Sequence, residues 1–346
     1  MFPPKMKIAI DFPIHPPGLE AVKAQDNIEI DCFEAPPPVV GKVLTRILDP
    51  ARAGDADVLF CSFPPANLAE LKKLKWIQIP SVGYAQVVGL GLSERGISAS
   101  NARGALDSPI AEWNVAMMVN LARDLRQMIR NQDAAVWDNA APFQREIRGM
   151  TVGLWGYGGI GRDTARLARQ LGMRVHVMTR NGVRPRQDTY VVPGVGDPEG
   201  VLPHHVFRSG EETAFLGSLD FLILSLPLTS VTEGMIGERE LQALPRTAYL
   251  LNPARAAIVK EAALLRALRE KWIAGAAIDT HYQYPLPAQH PLWSVPNLIL
   301  TPHISGSGIS AQYKERLWDL FAQNVRRFLN GDKLLNQLTA DELAGK

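Results

Sequence analysis

A cluster of glycines between an apolar strand and a helical stretch is the feature that most constrains how this chain folds. The G-x-G-x-x-G pattern falls at Gly156, Gly158 and Gly161, after an apolar run and before the helical pattern 162–171. In this context the first glycine permits a tight turn, the second lets main chain approach a pyrophosphate, and the third lets the helix pack on the strand. The helix N-terminus adds N–H donors and the positive end of its dipole. The residues predicted to bind a dinucleotide here are Gly156, Gly158, Gly159, Ile160 and Gly161.

The end of the next strand indicates which dinucleotide binds. An NAD-preferring site places Asp or Glu there to hold the ribose 2′-hydroxyl. Here the strand 174–178 ends in Thr179 and Arg180, and no carboxylate follows. The Arg180 guanidinium can pair with a 2′-phosphate, assisted by Thr179 and by Arg184 or Arg186, or it can be a solvated charge. We predict a preference for NADP(H), with NAD(H) left open as a cofactor.

Two strand–helix series predict an α/β chain with two doubly wound parallel sheets. The 346 residues suffice for two domains of ordinary size. Near-continuous apolar runs separated by helical stretches indicate parallel sheets that are covered on both faces. The predicted strands are 7–12, 28–33, 57–63, 76–81 and 97–101 in the first series, and 151–155, 174–178, 220–226, 247–251, 274–278 and 297–300 in the second.

Three further segments carry distinct patterns. Ser108 and Pro109 begin a helical pattern that we expect to run to about residue 132. Residues 181–217 are rich in Pro, Gly, Val and His, which predicts an irregular insertion without a helix. Residues 310–330 are predicted to form an amphipathic helix, and about the last dozen residues are predicted to be poorly ordered.

Composition excludes several classes of partner. Lys and Arg number 37 and Asp and Glu 35, so the net charge of +2 argues against nucleic-acid binding. No apolar run approaches the roughly 18–20 residues that span a bilayer, and the N-terminus lacks a signal-peptide core, so we expect a cytoplasmic protein with no membrane partner. Cys32 and Cys61 make no metal-binding spacing; we expect two buried or half-buried free thiols and no metal site.

Several segments together resemble the D-isomer-specific 2-hydroxyacid dehydrogenase family over nearly the whole chain. These segments are 224–229, 251–255, 274–279, 290–293 and 301–306. The resemblance implies flavodoxin-like and Rossmann domains with a cleft between them. The dinucleotide-binding domain, residues 105–304, would be inserted into a catalytic domain formed by 1–104 and 305–346. It also implies a homodimer held by the long helix, in which Trp113, Met117 and Leu121 lie on one apolar face.

The resemblance also implies a catalytic set of Arg, Glu and His. Arg255 matches the family arginine, which holds the carboxylate of a 2-keto acid and polarises its carbonyl. His303 matches the histidine that exchanges a proton with the substrate oxygen. The backbone of Val82 and Gly83 corresponds to the loop that binds the substrate carboxylate. The resemblance places two further residues at the cofactor, namely Pro227 and Asp279.

One departure from the family concerns the glutamate that normally pairs with the histidine. Tyr284 occupies its position before Pro285, and no carboxylate lies between Asp279 and Pro285. A tyrosine can hydrogen-bond the imidazole but supplies no negative charge near neutral pH. We therefore predict that the pKa of His303 is close to that of an ordinary imidazole rather than raised.

Three functions remain open at this point. The first is an NADP(H)-preferring oxidoreductase that interconverts a small 2-keto acid and its D-2-hydroxy acid. The second is hydride transfer without proton exchange, as in formate dehydrogenases of the same superfamily, although their usual replacement for the glutamate is Gln. The third is a nucleotide-sensing interaction protein like the C-terminal-binding-protein corepressors, which the retention of Arg255 and His303 disfavours.

Overall fold

The chain divides into two compact units, each built on a parallel sheet. The computed structural model describes residues 5–34, 46–140, 144–306, 308 and 310–345. The first unit comprises Met1–Leu106, Gln187–Val192 and Gly308–Lys346, and the second comprises Asp107–Arg186 and Pro193–Ser307. The two parallel sheets confirm the predicted α/β, doubly wound fold class. The predicted domain boundaries, 104/105 and 304/305, stay a prediction.

Within the described residues, the first unit has a five-stranded parallel sheet in the order β2-β1-β3-β4-β5. This is the flavodoxin-like order. With elements numbered along the chain, its strands are β1 Met6–Asp11, β2 Ile28–Cys32, β3 Val58–Cys61, β4 Trp76–Gln78 and β5 Ser98–Ser100. Its helices are α1 Pro16–Lys23, α2 Pro50–Ala53, α9 Ala311–Asn330 and α10 Ala340–Leu343.

Aromatic side chains fill the core between this sheet and α9. The ring of Phe321 lies 4.4 Å from that of Phe60 and 5.5 Å from that of Trp76, measured between centroids. All three are fully buried, and each contributes roughly 1.5–3 kcal/mol through removal from water. The Ser310 hydroxyl caps α9 by accepting from Tyr313 N at 3.2 Å, which confirms the predicted helix 310–330.

The second unit has a seven-stranded parallel sheet, again within the described residues, in the order β12-β11-β10-β9-β6-β7-β8. Its strands are β6 Thr151–Trp155, β7 Arg174–Met178, β8 His205–Phe207, β9 Phe221–Leu224, β10 Tyr249–Asn252, β11 Gly275–Ile278 and β12 Leu298–Leu300. Its helices are α3 Asp107–Ala122, α4 Leu125–Asp133, α5 Gly159–Gln170, α6 Glu212–Gly217, α7 Glu238–Ala243 and α8 Glu261–Arg269. The β6, β9, β10 and β11 strands are buried along their whole length, as the apolar runs predict.

The predicted single helix 108–132 is wrong, because α3 and α4 are separate helices. Asp124 adopts the left-handed conformation with φ +46°, and its side chain caps α4 by accepting from Gln127 N at 3.3 Å. Trp113 and Leu121, two of the three residues predicted on the apolar face that holds a homodimer, are not available for an interface. Both are buried in the core of the second unit, where they pack with β6 and β7.

The prediction of an irregular 181–217 without a helix is wrong in its second half. There β8 adds a strand beside β7, and α6 follows it. Residues 187–192 group with the first unit because Tyr190 is buried in that unit's core and its hydroxyl donates to Asp319 Oδ2 at 2.9 Å. Sequence periodicity misses this contact, since the partners lie more than a hundred positions apart.

Two smaller predictions also fail. The C-terminal residues are ordered through 345, because Leu338 and Leu343 are buried and Thr339 forms a capping box at α10. Of the two free thiols, Cys61 is buried as predicted, whereas Cys32 is exposed. No helix in the described ranges has the length and apolar character needed to cross a membrane.

Candidate active site

The predicted site residues of the second unit share one edge of its sheet. Because all its strands are parallel, their carboxyl ends meet at that edge, which is where open α/β sheets bind ligands. Following the strand ends are Gly156 after β6, Thr179 and Arg180 after β7, Pro227 after β9, Arg255 after β10, Asp279 and Tyr284 after β11, and His303 after β12.

The glycine-rich turn has the shape that a pyrophosphate requires. At Gly156, with φ +100°, a Cβ would lie 2.6 Å from the Ser225 carbonyl oxygen, and at Gly161 it would lie 2.7 Å from the Gly156 oxygen. At Gly158 a Cβ would meet nothing within 4 Å. No acceptor in the described part of the chain takes the N–H group of Gly158. At Gly159 a Cβ would lie 1.7 Å from Asp107 Oδ2, so the turn has open space and a free donor at Gly158, which fits a phosphate of a dinucleotide.

The end of β7 offers a hydroxyl and a cation. Thr179 Oγ1 is buried and has no hydrogen-bond partner among the described residues. Arg180 follows it and is exposed. Of the two predicted helpers, Arg184 has an exposed side chain, while Arg186 is largely buried and lies 3.6 Å from Asp107 Oδ2. An orphaned hydroxyl beside an exposed guanidinium fits a phosphate group.

The loop that carries His303 is held by a buried carboxylate. Asp279 is fully buried, and its Oδ1 accepts from Thr301 Oγ1 at 2.5 Å and from Ile304 N at 2.9 Å. Its Oδ2 accepts from the main-chain N and the hydroxyl of Ser305, at 3.0 and 2.5 Å. His303 itself has φ +59°, a conformation that costs free energy in a residue other than glycine and is held by its surroundings. The predicted contact of Asp279 with the cofactor stays a prediction.

Tyr284 lies against the imidazole of His303. The Tyr284 hydroxyl oxygen is 3.1 Å from His303 Nδ1 and accepts from His281 N at 3.2 Å. His281 in turn donates from Nε2 to the Thr301 carbonyl oxygen at 2.8 Å, which ties this loop to the His303 loop. Burial raises the pKa of Tyr284, so the phenol is neutral at physiological pH.

Arg255 supplies the positive charge of this group. Asn252 fixes its main chain, because the Asn252 amide donates to the Arg255 carbonyl oxygen at 2.9 Å and accepts from Ala254 N at 3.1 Å. The Arg255 side chain is exposed at the sheet edge. Partial burial lowers the pKa of His303 below its ordinary value, and the Arg255 charge lowers it further. This shift is opposite in direction to the one that a paired glutamate would produce, so the prediction that the pKa of His303 is not raised agrees with it.

The loop at the end of β4, in the first unit, presents two free main-chain donors. The Val82 carbonyl oxygen accepts from Asn101 Nδ2 at 2.7 Å, and the Gly83 carbonyl oxygen accepts from the Ser81 hydroxyl at 2.6 Å. Gln86 holds Ser81 by donating to its Oγ at 2.7 Å. Across the described ranges, no acceptor takes the N–H groups of Val82 and Gly83. The loop can therefore donate two hydrogen bonds to a carboxylate.

Three supporting residues escaped the sequence reasoning although they lie inside the motifs. Ser225 donates from its hydroxyl to the Gly156 oxygen at 2.7 Å and so fixes the glycine-rich turn. Asn252 fixes Arg255, and Thr301 links Asp279 to Trp113, whose indole N–H donates to it at 3.2 Å. Their motif positions were the available signal. In the described part of the chain, no group of three or more His, Cys, Asp or Glu could hold a metal ion.

Comparison with known proteins agrees with this geometry. The family "D-isomer specific 2-hydroxyacid dehydrogenase, NAD binding domain" matches residues 115–305. A glyoxylate reductase of Thermofilum pendens is 30% identical over 334 residues, covering 94% of this chain and 92% of the relative. A glycerate dehydrogenase of Methylorubrum extorquens is 30% identical over 273 residues, covering 77% of this chain and 79% of the relative. The crystal structure of an NADPH-dependent glyoxylate/hydroxypyruvate reductase from Sinorhizobium meliloti has a TM-score of 0.73 at 23% identity, covering 99% of this chain and 100% of that one.

Proposed function

Because the chain belongs to the D-isomer-specific 2-hydroxyacid dehydrogenase family, we propose that it reduces a small 2-keto acid of the glyoxylate or hydroxypyruvate type with NADPH as its preferred cofactor. It is an NAD(P)-dependent oxidoreductase that transfers a hydride between a nicotinamide cofactor and a small 2-keto or D-2-hydroxy acid. The observation that carries the proposal is the group formed by Arg255, Tyr284 and His303 at the same sheet edge as the glycine-rich turn.

The residues that would hold the cofactor follow β6, β7 and β9. The free N–H group of Gly158 would bind the pyrophosphate, and Gly159 and Ile160 follow it at the helix N-terminus. Pro227 and Asp279 are the other residues proposed to lie at the cofactor, Asp279 near the nicotinamide. Arg180 and the unpartnered Thr179 hydroxyl bind the 2′-phosphate, which gives the preference for NADP(H). When bound, the nicotinamide supplies the hydride in reduction and accepts it in oxidation.

Arg255 binds the substrate and activates it. Its planar guanidinium holds a carboxylate through two parallel N–H donors and places positive charge beside the carbonyl oxygen, where negative charge develops during reduction. The same charge lowers the pKa of His303, so Arg255 also makes that imidazolium a stronger acid. The free N–H groups of Val82 and Gly83 are the proposed main-chain donors to the substrate carboxylate.

Tyr284 serves both protonation states of His303. When the imidazole is neutral, Nδ1 keeps its proton and donates it to the phenolic oxygen, which leaves Nε2 free to accept a proton. When it is an imidazolium, Nδ1–H donates to the phenolic oxygen, whose other lone pair accepts from His281 N. A glutamate would favour the imidazolium alone and raise its pKa. His303 therefore delivers its proton from Nε2 in reduction and takes it back there in oxidation.

Assembly as a homodimer belongs to the same proposal, with a different face from the predicted one. Large apolar side chains are exposed on α4, just after it and at Trp293 beside it, and a stable monomer seldom exposes an apolar patch of this size. They are Leu125, Ile129, Val136, Trp137 and Trp293, of which Trp137 is 91% exposed. A second copy of the chain covers this face. Light scattering should give twice the 38.0 kDa chain mass, and Trp137→Ser should shift it toward the monomer; a monomeric wild type at micromolar concentration would contradict this.

Turnover with a panel of acids tests the catalytic proposal. Glyoxylate, hydroxypyruvate and pyruvate are each offered with NADPH and with NADH, and formate is offered with NADP⁺ and NAD⁺. We expect reduction of glyoxylate, of hydroxypyruvate or of both, and a higher kcat/KM with NADPH. Oxidation of formate alone would favour hydride transfer without proton exchange. Cofactor binding without turnover of any acid would favour a nucleotide-sensing protein.

A further inference from the structure

A segment without a recognisable motif, residues 193–202, is hydrogen-bonded to the glycine-rich turn. We call it the anchor segment. Tyr157 lies between Gly156 and Gly158 of the turn, and its hydroxyl donates to Asp197 Oδ2 at 2.6 Å. Near the N-terminus of α5, Asp163 Oδ1 accepts from Gly196 N at 2.9 Å. All of these residues belong to the second unit. The anchor segment therefore contacts the glycine-rich turn at Tyr157 and the N-terminal part of α5 at Asp163.

Arg162 joins the anchor segment to the turn through main-chain oxygens. Its side chain is 5% exposed, and no carboxylate in the described ranges lies within ion-pair distance of it. Nε donates to the Tyr157 oxygen at 3.1 Å, and one terminal nitrogen donates to the oxygens of Asp197 and Pro198. The other terminal nitrogen donates to the Arg184 oxygen at 2.5 Å. Burial lowers the pKa of this guanidinium, and its rigid fork of donors fixes three chain segments at once.

Asp197 is the centre of the anchor segment. It is 4% exposed, and its carboxylate accepts four hydrogen bonds. Three come from its own loop, namely from the N–H groups of Gly200, Val201 and Leu202 at 3.0–3.1 Å, and the fourth comes from Tyr157. Burial alone would raise the pKa of Asp197, but the hydrogen bonds from Tyr157 and the main chain outweigh it and lower the pKa. Asp197 is thus a buried anion that fixes the Tyr157 ring.

This arrangement sets the direction of one donor in the glycine-rich turn. The peptide unit between Tyr157 and Gly158 is planar and trans, so its C=O and N–H point in opposite directions. Arg162 Nε binds that C=O, and Asp197 binds the side chain of the same residue. The Gly158 N–H is free among the described residues, and the space beside the Gly158 Cα is open. Fixing Tyr157 therefore fixes the Gly158 donor that faces the phosphates.

We propose that Asp197, Tyr157 and Arg162 are positioning residues for the dinucleotide pyrophosphate. They act by holding the Tyr157–Gly158 peptide unit in its binding orientation before the cofactor arrives, so that binding does not have to order it. The proposal rests on the cofactor site of the proposed function. It assigns a role in cofactor affinity to a segment that lies outside every motif of the family resemblance.

The test measures binding directly on the protein without cofactor. Tyr157→Phe removes the bond to Asp197 and keeps the ring, and Arg162→Lys keeps the charge but loses the planar fork. NADPH is titrated by the fluorescence of its reduced nicotinamide. We expect the Kd to rise about threefold to tenfold in Tyr157→Phe and by at least as much in Arg162→Lys, as the loss of a buried hydrogen bond predicts. At saturating NADPH, kcat should stay within about twofold of the wild type.

Two ligand fragments separate pyrophosphate positioning from general destabilisation. The fragment 2′-phospho-ADP-ribose contains the pyrophosphate, and adenosine 2′-monophosphate lacks it. We expect both variants to lose affinity for the first fragment by the same factor as for NADPH and to bind the second like the wild type. Tyr249→Phe is the matched control, because it removes the hydroxyl of another buried tyrosine of the second unit. Tyr249 is the first residue of β10, at the end away from the cofactor site, and it interacts with Arg145 there. Its Kd for NADPH should not change.

Two outcomes would overturn the proposal, and a third would overturn the proposed function on which it rests. Wild-type affinity for 2′-phospho-ADP-ribose in Tyr157→Phe would overturn it, even if the melting temperature falls. Equal losses for both fragments would also overturn it, since the effect would then not belong to the pyrophosphate. If Arg162→Lys does not fold, Tyr157→Phe alone decides. A wild type that binds neither NADPH nor NADH would overturn the proposed function itself, which the variants cannot do.

Discussion

Two loops at the carboxyl edge of the second sheet are held in the same way, but only one of them contains a recognisable sequence motif. The loop that carries His303 is fixed by Asp279, and the anchor segment is fixed by Asp197. Both carboxylates are buried, and each accepts four hydrogen bonds. Asp279 lies in a segment that resembles a known family, whereas Asp197 lies in a stretch predicted to be irregular.

The comparison teaches that a buried carboxylate that accepts several main-chain hydrogen bonds can order a loop even where the sequence contains no recognisable motif. Removal of one partner from such a group leaves the others unsatisfied and costs about 1–3 kcal/mol for each buried donor. The two loops differ in what they serve. The Asp279 loop holds a residue in contact with Tyr284, and the Asp197 loop holds the turn that receives phosphates.

The largest expected effect follows from removing the proton donor on the loop that Asp279 holds. His303→Asn should lower kcat for reduction by about 10²–10⁴-fold, since a positioned acid contributes that much. The Kd for NADPH should be unchanged, because His303 is not among the residues proposed to bind the cofactor. Steady-state kinetics and a fluorescence titration on the same preparation check both. Retention of most of the wild-type activity would mean that another group donates the proton.

The next effect compares the two supporting carboxylates. Asp279→Asn replaces two accepting oxygens by one, so the His303 loop loses support, and kcat should fall about 10–100-fold with a smaller change in KM for NADPH. Asp197→Asn should do the reverse, raising KM for NADPH and leaving kcat near the wild-type value. Both variants should lower the melting temperature. If both changed kcat and KM in the same proportion, the two loops would not have separate tasks.

A smaller effect concerns the choice of cofactor. Arg180→Ala should reduce the ratio of kcat/KM for NADPH to that for NADH by about tenfold, because one charge-assisted contact with the 2′-phosphate is lost. Thr179→Val, which removes the unpartnered hydroxyl, should reduce the ratio less. Arg246→Ala serves as a control for the loss of a surface arginine. A wild type that prefers NADH tenfold, or unchanged NADPH kinetics in Arg180→Ala, would exclude this role for Arg180.

Much of the fold and the catalytic group could be predicted because their signals are local. Apolar runs and the glycine pattern predicted the parallel strands, and the parallel arrangement brings Gly156, Arg255 and His303 to one edge. Tyr284 stands where the family has a glutamate, and this position predicted the contact between Tyr284 and His303 that the structure shows.

What could not be predicted depends on contacts between distant residues or on backbone conformation. Nothing local indicates that Tyr190 enters the core of the first unit. The break between α3 and α4 depends on the left-handed conformation of Asp124, which helix periodicity does not report. The lowered pKa of His303 follows from burial and from Arg255, two features that depend on the assembled site.

The pH dependence of reduction tests the Tyr284–His303 pair most directly. Reduction needs the imidazolium, so kcat/KM is highest below the pKa of His303 and falls as pH rises through it. Burial and Arg255 lower that pKa, so the midpoint of the fall in wild-type kcat/KM should lie below about pH 6.5. Tyr284→Glu adds a negative charge and should move the fall upward by about one pH unit, while Tyr284→Phe should not move it upward. A wild-type profile that stays flat until well above pH 8, or an unchanged profile in Tyr284→Glu, would contradict the account.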